Sequence, residues 1–260
     1  MSIKRPVILV TNDDGVTAPG LHRLVEALPD EADIYVVAPD GPRSAQSSAL
    51  TMTNPLRIHR HPEMEADGRS EHWISVNGTP VDCVKLAVHT ILPCLPDVCL
   101  AGINHGSNAG NSIIYSGTMG AVMETCTLGI PSVGYSLLDH SMQADFSKTI
   151  PLIKEITRKV IANGLPDHIC LNVNFPADTD IHGVKVVAAA QSHWTDEYKE
   201  YTDPAGNKFY LITGTLINDN PDDDGTDLYW LPRNYATIVP VTPDQSRPDM
   251  ITYIKDILSV

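Results

Sequence analysis

Short apolar runs alternate with helix-like patterns through the first half of the chain, and this alternation limits its fold more than any other feature. Residues 6–11 (PVILVT) are typical of a strand covered on both faces, and residues 18–28 (APGLHRLVEAL) follow with apolar side chains at helical spacing. Further strands are predicted at 32–40, 56–60, 72–76, 97–102 and 129–137, and helices at 78–92 and 119–128, the former with Thr79 as N-cap. The alternation predicts an α/β fold, with a mostly parallel sheet and helices on both faces.

The second half has a different pattern. Residues 146–164 suit a helix that ends at Gly164, and four strand-like runs follow with turn residues between them, at 168–176, 183–191, 208–216 and 235–242. We expect these strands to be more antiparallel in style. The acidic run at 218–227 (NDNPDDDGTD) is predicted to be a solvated loop.

Charge and composition exclude several classes of protein. The formal net charge is -14, from 18 basic and 32 acidic side chains, so we expect no binding to nucleic-acid polymers or to anionic membrane surfaces. A small anion can bind only where positive charge is supplied locally. No apolar run reaches the ~18 residues of a membrane span, and the basic start of the chain reads as a strand rather than a signal peptide. The five cysteines are scattered and odd in number, which predicts reduced thiols and a cytoplasmic location.

Two adjacent carboxylates, Asp13 and Asp14, follow the first strand directly. One interpretation is structural: Asn12 and Asp13 cap the next helix or shape the turn, and Asp14 and Gly15 are turn residues. The other is functional, because a hard divalent cation such as Mg²⁺ or Mn²⁺ prefers oxygen ligands and relieves the repulsion between neighbouring carboxylates.

Two more polar segments follow predicted strands, and in a parallel sheet the carboxyl ends of the strands meet at one edge, where ligands bind. Residues 43–48 (RSAQSS) place hydroxyl groups there, including that of Ser44. Residues 101–126 contain spaced glycines and asparagines, and then Ser116, Gly117 and Thr118 before a helical pattern. The start of a helix presents N–H groups to an anion. The segment fits neither a Walker A loop nor a dinucleotide fingerprint, so it does not indicate an ATPase. Together, the three segments predict a metal ion and a phosphate at one edge of the sheet.

Several blocks of sequence, in one order, resemble the signature blocks of the SurE family. They are ILVTNDDG, APD…RSAQSSALT, NGTPVDCVKLA, PDVCLAGIN.G.N.G…IYSGT…A.E and GIPSVGYSL, all between residues 7 and about 138, with weaker similarity in LNVNFP, GTD and YATIVPVTP. Members of this family, also called stationary-phase survival proteins, are metal-dependent phosphatases that act as 5′/3′-nucleotidases. The resemblance implies one Mg²⁺ or Mn²⁺ ion per subunit, bound by Asp13, Asp14, Ser44 and Asn104. It also implies phosphate contacts from Asn108, Ser116, Gly117 and Thr118.

The resemblance further implies the fold and the assembly. We expect a single domain over residues 1–260, in which 1–140 form a Rossmann-like core that carries the site. Residues 141–260 then add a helix, further strands, an extended C-terminal β-hairpin and a C-terminal helix, and are used to form a homodimer or homotetramer. His105 stands at a position that varies in the family, and the second half is only loosely similar, so nucleoside preference and assembly stay open.

The expected activity is hydrolysis of nucleoside 5′-monophosphates, and of 3′-monophosphates, by metal-assisted attack of water. Asp13 or Asp14 accepts the proton of that water, or Asp13 attacks phosphorus directly and forms an aspartyl-phosphate. His105 either protonates the leaving group or lines the pocket. Two alternatives for the function are hydrolysis of short polyphosphate and a nucleotide sensor without catalysis.

Overall fold

The computed structural model describes residues 5–141, 143–177 and 180–259. The strands are β1 Val7–Thr11, β2 Asp33–Pro39, β3 Ile58–Arg60, β4 Ser70–Val76, β5 Val98–His105, β6 Ser132–Leu137, β7 Cys170–Phe175, β8 Val184–Val186, β9 Ser192–Thr195, β10 Tyr198–Thr202, β11 Lys208–Ile212, β12 Thr215–Asn218 and β13 Ala236–Val241. The α-helices are α1 Pro19–Glu26, α2 Pro80–Leu86, α3 Gly117–Thr127, α4 Ile150–Asn163, α5 Asp227–Trp230 and α6 Ile251–Leu258. A π-helical turn over Ala87–Ile91 extends α2, and a 3₁₀ helix over Gly110–Tyr115 precedes α3.

A nine-stranded sheet forms the centre of the molecule, in the order β3-β4-β2-β1-β5-β6-β7-β13-β8. In this order the six strands from β4 to β7 are parallel to one another, β3 is antiparallel to β4, and β13 is antiparallel to β7 but parallel to β8. This is the predicted α/β class. β2 lies on one side of β1 and β5 lies on the other, so the strand order changes direction at β1. The loops after β1, β2 and β5 therefore lie next to one another at the carboxyl edge of the sheet.

Helices cover both faces of the sheet, because its central strands are apolar on both sides. On one face, α1 and α4 bury Leu21, Leu24 and Ile153 against β1, β2 and β6. On the other face, α2 and α3 bury Val84 and Ala121 against the opposite side of the same strands. Burial on two faces explains why these strands read as continuous apolar runs rather than as alternating ones.

The predicted start of α2 is confirmed. The Thr79 hydroxyl accepts a hydrogen bond from the Asp82 N–H at 3.1 Å, and the Asp82 carboxylate accepts one from the Thr79 N–H at 2.9 Å. This reciprocal pair satisfies two of the N–H groups that every helix leaves without partners at its start.

The antiparallel style expected of the second half is confirmed for β9 to β12 and for β13 beside β7. Two pairs differ from it, because β7 extends the parallel sheet beside β6 and β8 is parallel to β13. The predicted run at 208–216 divides into β11 and β12, which pair with β10 and β9 to form a long hairpin. The sequence analysis did not predict β9 and β10. Their segment (SHWTDEYKEYT) is mainly polar and has neither a clear alternation of polar and apolar residues nor an apolar run.

No helix in the described part of the chain has the length and apolar character required to cross a bilayer.

Candidate active site

Asp13 lies just beyond β1 and is only 5% exposed. Its Oδ1 atom accepts a hydrogen bond of 2.5 Å from the Thr118 hydroxyl, in the first turn of α3. A Cβ atom on Gly117 would lie 2.9 Å from the Asp13 Cβ, so the start of α3 approaches Asp13 closely only because residue 117 is glycine. The close approach brings the first of the predicted metal ligands to the predicted phosphate-binding turn.

Asp14 is half-buried beside the end of β5. Its Oδ2 atom accepts a hydrogen bond of 3.2 Å from the backbone N–H of His105. The structural interpretation of the acidic pair is wrong about the helix cap, because α1 begins after Ala18 and no side chain caps it. Its other part is confirmed for Asn12, which shapes the turn through two hydrogen bonds with the backbone of Gly15.

Burial disfavours the charged form of both carboxylates. Burial, with a smaller contribution from the charge of Asp14, raises the pKa of Asp13 to about 6, although the hydrogen bonds from Thr118 lower it. Burial likewise raises the pKa of Asp14. Neither carboxylate forms an ion pair with a lysine, arginine or histidine among the described residues. Two neighbouring carboxylates, one buried and one half-buried, without an ion-pair partner fit a divalent cation.

Asn104 lies near the end of β5, where the pairing with β6 shifts register between Ala101 and Asn104. Gly102 permits this irregularity: its φ is +124°, and a Cβ there would lie 2.3 Å from the Tyr135 carbonyl oxygen. The Asn104 amide nitrogen donates to the Gly106 carbonyl at 2.8 Å, so its Oδ1 atom is turned the other way, 3.5 Å from the Thr118 hydroxyl that also contacts Asp13. An amide oxygen held beside a carboxylate is a suitable additional ligand for a hard cation.

Ser44 lies on the exposed loop that follows β2. The neighbouring N–H of Arg43 donates to the Asp13 carbonyl oxygen at 2.7 Å, which fixes this loop against the turn that carries the carboxylates. The Ser44 hydroxyl has no hydrogen-bond partner in the part of the chain that the structure describes. Among those residues, no group of three or more His, Cys, Asp and Glu side chains is arranged to hold a metal ion. The predicted set has a different composition, with two carboxylates, a hydroxyl and an amide.

The predicted phosphate-binding residues occupy two kinds of position. The Ser116 hydroxyl caps α3 by accepting from the Met119 N–H at 3.0 Å, and the Gly117 N–H has no hydrogen-bond partner among the described residues. Thr118 is fully buried, with both its hydroxyl and its N–H directed at Asp13, which makes it a positioning residue for that carboxylate. A free N–H at the start of an eleven-residue helix is suited to an anion.

Asn108 belongs to a buried amide network that the sequence analysis missed. Its side-chain nitrogen donates to the Ser136 hydroxyl at 2.8 Å, and its backbone N–H donates to Asn174 Oδ1 at 2.9 Å. Asn172 donates in turn to the Asn108 carbonyl oxygen. The only signal in the sequence was the pair of asparagines in LNVNFP, which interrupts an otherwise apolar strand.

Asp227 is a further buried polar residue beside the candidate site that the sequence analysis missed. It lies in the acidic run predicted to be solvated, yet it is fully buried. Its carboxylate accepts hydrogen bonds from the N–H groups of Gly110, Ala190 and Leu228, at 2.8, 2.9 and 2.8 Å. Asp227 therefore anchors the glycine-rich segment that leads into α3, and the GTD block was its only signal.

The His105 imidazole is fixed by a backbone carbonyl and forms no hydrogen bond with either carboxylate among the described residues. Its Nδ1 atom lies 2.9 Å from the Ser141 carbonyl oxygen, which can only accept, so Nδ1 carries the proton. The Nε2 atom is buried without a partner among the described residues, and the ring packs edge-on against Phe146. This geometry favours the lining role over proton transfer.

A polar cavity of about 410 Å³ adjoins the site through Arg43, with Gln46, Asn54, Arg57 and Asn77 among its lining residues. A larger cavity of about 610 Å³ lies between α1 and α4. It is lined by Pro6 and by residues that precede β2, so it lies at the amino edge of the sheet, far from the carboxylates.

Known proteins are similar to this chain in sequence and in structure. The profile of the family described as "Survival protein SurE" matches residues 8–196, which include every predicted ligand. The chain belongs to the SurE family. A relative from Christiangramia forsetii named 5′-nucleotidase SurE is 44% identical over 100% of this chain and 98% of its own length, and one of the same name from Phocaeicola vulgatus is 41% identical over 98% of both. The crystal structure of the SurE protein from Aquifex aeolicus aligns with a TM-score of 0.82 at 33% identity, over 97% of this chain and 100% of its own.

Proposed function

We propose that this SurE protein is a 5′-nucleotidase, a phosphatase that converts nucleoside 5′-monophosphates to nucleoside and phosphate. The names of its full-length relatives support the activity. The observation that carries the proposal is that Asp13, buried, and Asp14, half-buried, lie beside the start of α3 without an ion-pair partner in the described chain. We extend the proposal to 3′-monophosphates, since the phosphate site makes no distinction between the two esters.

We further propose that Asp13, Asp14, Ser44 and Asn104 bind one Mg²⁺ or Mn²⁺ ion per subunit. A divalent cation there would supply Lewis-acid activation of the phosphate and of the attacking water, and would offset the negative charge of the protein. The Gly117 N–H and the Ser116 hydroxyl bind phosphate oxygens as charge develops on them. Thr118 and the His105 N–H hold the two carboxylates in place, so that one of them accepts the proton of the attacking water.

Direct attack by Asp13 is the competing mechanism. The two mechanisms differ in whether a covalent intermediate forms. Attack by Asp13 displaces the nucleoside and forms an aspartyl-phosphate, which water then hydrolyses by attack on phosphorus, so solvent oxygen ends in the released phosphate in either mechanism. Borohydride added during turnover reduces an aspartyl-phosphate to homoserine, so mass spectrometry of the peptide that contains Asp13 distinguishes the two mechanisms.

The proposal is tested by measuring phosphate release from 5′- and 3′-ribo- and deoxyribonucleotides and from tripolyphosphate, with Mg²⁺, with Mn²⁺ and with a chelator. We expect nucleotide hydrolysis that requires metal, and a decrease of roughly 100-fold or more in kcat for Asp13→Asn and Asp14→Asn. Asp67→Asn, which removes an exposed carboxylate away from the site, serves as the matched control.

Three results would contradict parts of this proposal. Near-normal hydrolysis by both aspartate variants removes the metal assignment. Faster hydrolysis of tripolyphosphate than of any nucleotide makes polyphosphate the main substrate. Tight nucleotide binding with no phosphate release over hours makes the protein a sensor.

We propose a homodimer or homotetramer assembled through the second half of the chain. The hairpin strands β10 and β11 are exposed along their whole length, and Phe209, Leu211 and Ile212 are among their apolar side chains. Every described residue of α6 is also exposed. Apolar surface of this extent is typical of an interface between subunits.

We propose the cytoplasm as the compartment. All five cysteines are free, and four of them are buried, with Cys94 exposed. Unpaired thiols persist in a reducing environment.

A further inference from the structure

An exposed tyrosine lies directly before the phosphate-binding turn. The 3₁₀ helix Gly110–Tyr115 ends one residue before Ser116, and its last two side chains, Ile114 and Tyr115, are 59% and 51% exposed. The Tyr115 hydroxyl has no hydrogen-bond partner among the described residues. The ring is thus available to a ligand on a protein surface that otherwise has strong negative charge.

The backbone that carries Tyr115 is held in place by the loop that carries Ser44. The Ser47 hydroxyl donates to the Ile114 carbonyl oxygen at 2.7 Å, and the Ser47 N–H donates to the Tyr115 carbonyl oxygen at 3.1 Å. Both bonds join the segment after β2 to the segment before α3. Tyr115 is therefore an exposed aromatic side chain on a fixed backbone, which loses little conformational freedom when a ligand stacks on it.

The covalent chain limits the distance between Tyr115 and the proposed phosphate site. Tyr115 is two residues from Gly117, so their Cα atoms lie no more than about 7.6 Å apart. In a nucleotide, a single sugar ring separates the phosphate from the base. A phosphate at the Gly117 N–H therefore leaves the base within reach of the Tyr115 ring.

No comparable aromatic side chain competes for this role in the described chain. The other phenylalanine, tyrosine and tryptophan side chains with large exposed fractions lie on β10, β11 or α6. Phe146 and Tyr135, closer to the sheet edge, are buried.

We propose that the Tyr115 ring is the surface on which the nucleobase of the substrate stacks, so that Tyr115 makes the protein prefer nucleotides over other phosphomonoesters. This inference rests on the proposed nucleotidase function. Stacking is tolerant of base identity, because every base has a π-face, and it needs no positive charge from the acidic protein. The expected discrimination is between nucleotides and baseless sugar phosphates, with purines favoured over pyrimidines by their larger ring area.

The test compares adenosine 5′-monophosphate with ribose 5-phosphate, which is the same ester without the base. We expect Tyr115→Ala to lower the ratio of kcat/KM for the two substrates by about 5-fold to 100-fold, mainly through KM for the nucleotide. Tyr115→Phe, which retains the ring, should keep the ratio within about threefold of the wild-type value. Ile114→Ala is the matched control, since it removes a neighbouring side chain of similar exposure from the same 3₁₀ helix.

Calorimetric binding of the two compounds to the same variants gives a readout that does not depend on turnover. If no form of the protein hydrolyses either ester, the proposed function fails. Stacking is still supported in that case if Tyr115→Ala binds the nucleotide as weakly as it binds ribose 5-phosphate. Three results overturn the inference. They are an unchanged ratio of kcat/KM in Tyr115→Ala, an equal loss of kcat/KM for both substrates in that variant, and a loss of the ratio in Ile114→Ala equal to that in Tyr115→Ala. An equal loss of that kind would mean that Tyr115 supports the loop or a subunit contact instead.

Discussion

Asp13 combines two properties that oppose each other at the scale of a single residue. Its carboxyl group is almost completely buried, yet the metal binding proposed for it requires it to be ionised. Thr118 supplies a hydrogen bond to the charged form, but burial and the neighbouring Asp14 outweigh it, and the pKa of Asp13 is raised to about 6. The metal-free protein therefore holds an unfavourable charge at neutral pH, which a bound cation would relieve.

This imbalance predicts how the stability of the metal-free protein depends on pH. A carboxyl with a pKa of about 6 when folded and 3.8 when unfolded binds more protons in the folded state between these values. The free energy of unfolding should therefore fall as pH rises from about 4 to about 7, by about 3 kcal/mol from this group alone. Asp13→Asn removes the effect, because an amide does not ionise.

Urea denaturation in a chelator at a series of pH values measures this dependence. We expect Asp13→Asn to gain stability relative to the wild type as pH rises through 6, and saturating Mn²⁺ to reverse the order by stabilising only the wild type. A constant difference between the two proteins from pH 4 to pH 7 would show that Asp13 does not titrate with a raised pKa.

At the scale of elements, the short helix α5 holds the glycine-rich segment before α3. Asp227, its first residue, accepts three backbone N–H bonds, two of them from Gly110 and Ala190. These two donors belong to separate parts of the chain, so the carboxylate joins the segment before α3 to the segment that leads into β9. Burial raises the pKa of Asp227, although the three hydrogen bonds lower it.

Asp227→Asn should therefore destabilise the protein by about 1–3 kcal/mol. The amide has a single acceptor oxygen, so its NH₂ group must face at least one of the three N–H donors and leave it without a partner. We also expect a higher KM for nucleotides, because Gly110 begins the 3₁₀ helix that precedes the proposed phosphate-binding turn. Equilibrium denaturation and steady-state kinetics measure the two effects.

Asp222→Asn provides the control for this substitution. Asp222 lies in the same acidic run, is exposed, and has no hydrogen-bond partner among the described residues. Its variant should match the wild type within about 0.5 kcal/mol. An Asp227→Asn protein of equal stability would mean that the carboxylate does not anchor the segment.

At the scale of the whole molecule, the second half of the chain has two roles. α4, β7 and β13 complete the central sheet and its helical cover, whereas the hairpin and α6 leave apolar side chains exposed. On α6 the exposed apolar residues Ile251, Ile254, Ile257 and Leu258 share one side, and Thr252, Lys255 and Asp256 share the other. A helix with an unburied apolar side gains stability when another subunit covers it.

Ile254→Glu should therefore shift the protein toward smaller assemblies. A charge placed in the apolar side of α6 would lose its hydration on burial in an interface, and the variant should dissociate at concentrations where the wild type stays associated. Light scattering coupled to size-exclusion chromatography measures the mass. Thr252→Glu, on the polar side of the same helix, should leave the mass unchanged, and a monomeric wild type would contradict the proposed assembly.

The amino-acid sequence by itself determined the α/β class, most elements of the first half and the edge of the sheet where Asp13, Asp14 and Asn104 meet. These features depend on local patterns, such as apolar runs, helical spacing and polar residues after strands. Such patterns are visible in short stretches of the sequence. The resemblance to the SurE family added the ligand set. The metal assignment stays a prediction for experiment.

Only the tertiary structure decided which distant groups support that edge. Thr118 reaches Asp13 across 105 residues, Asn174 reaches Asn108 across 66, and Asp227 reaches Gly110 across 117. Such contacts depend on the order of strands in the sheet and on the packing of loops over it, and no local pattern records either. The burial of Asp227 within an acidic run has the same cause, since hydrogen bonds from remote backbone groups, rather than its neighbours in sequence, hold its charge inside the protein.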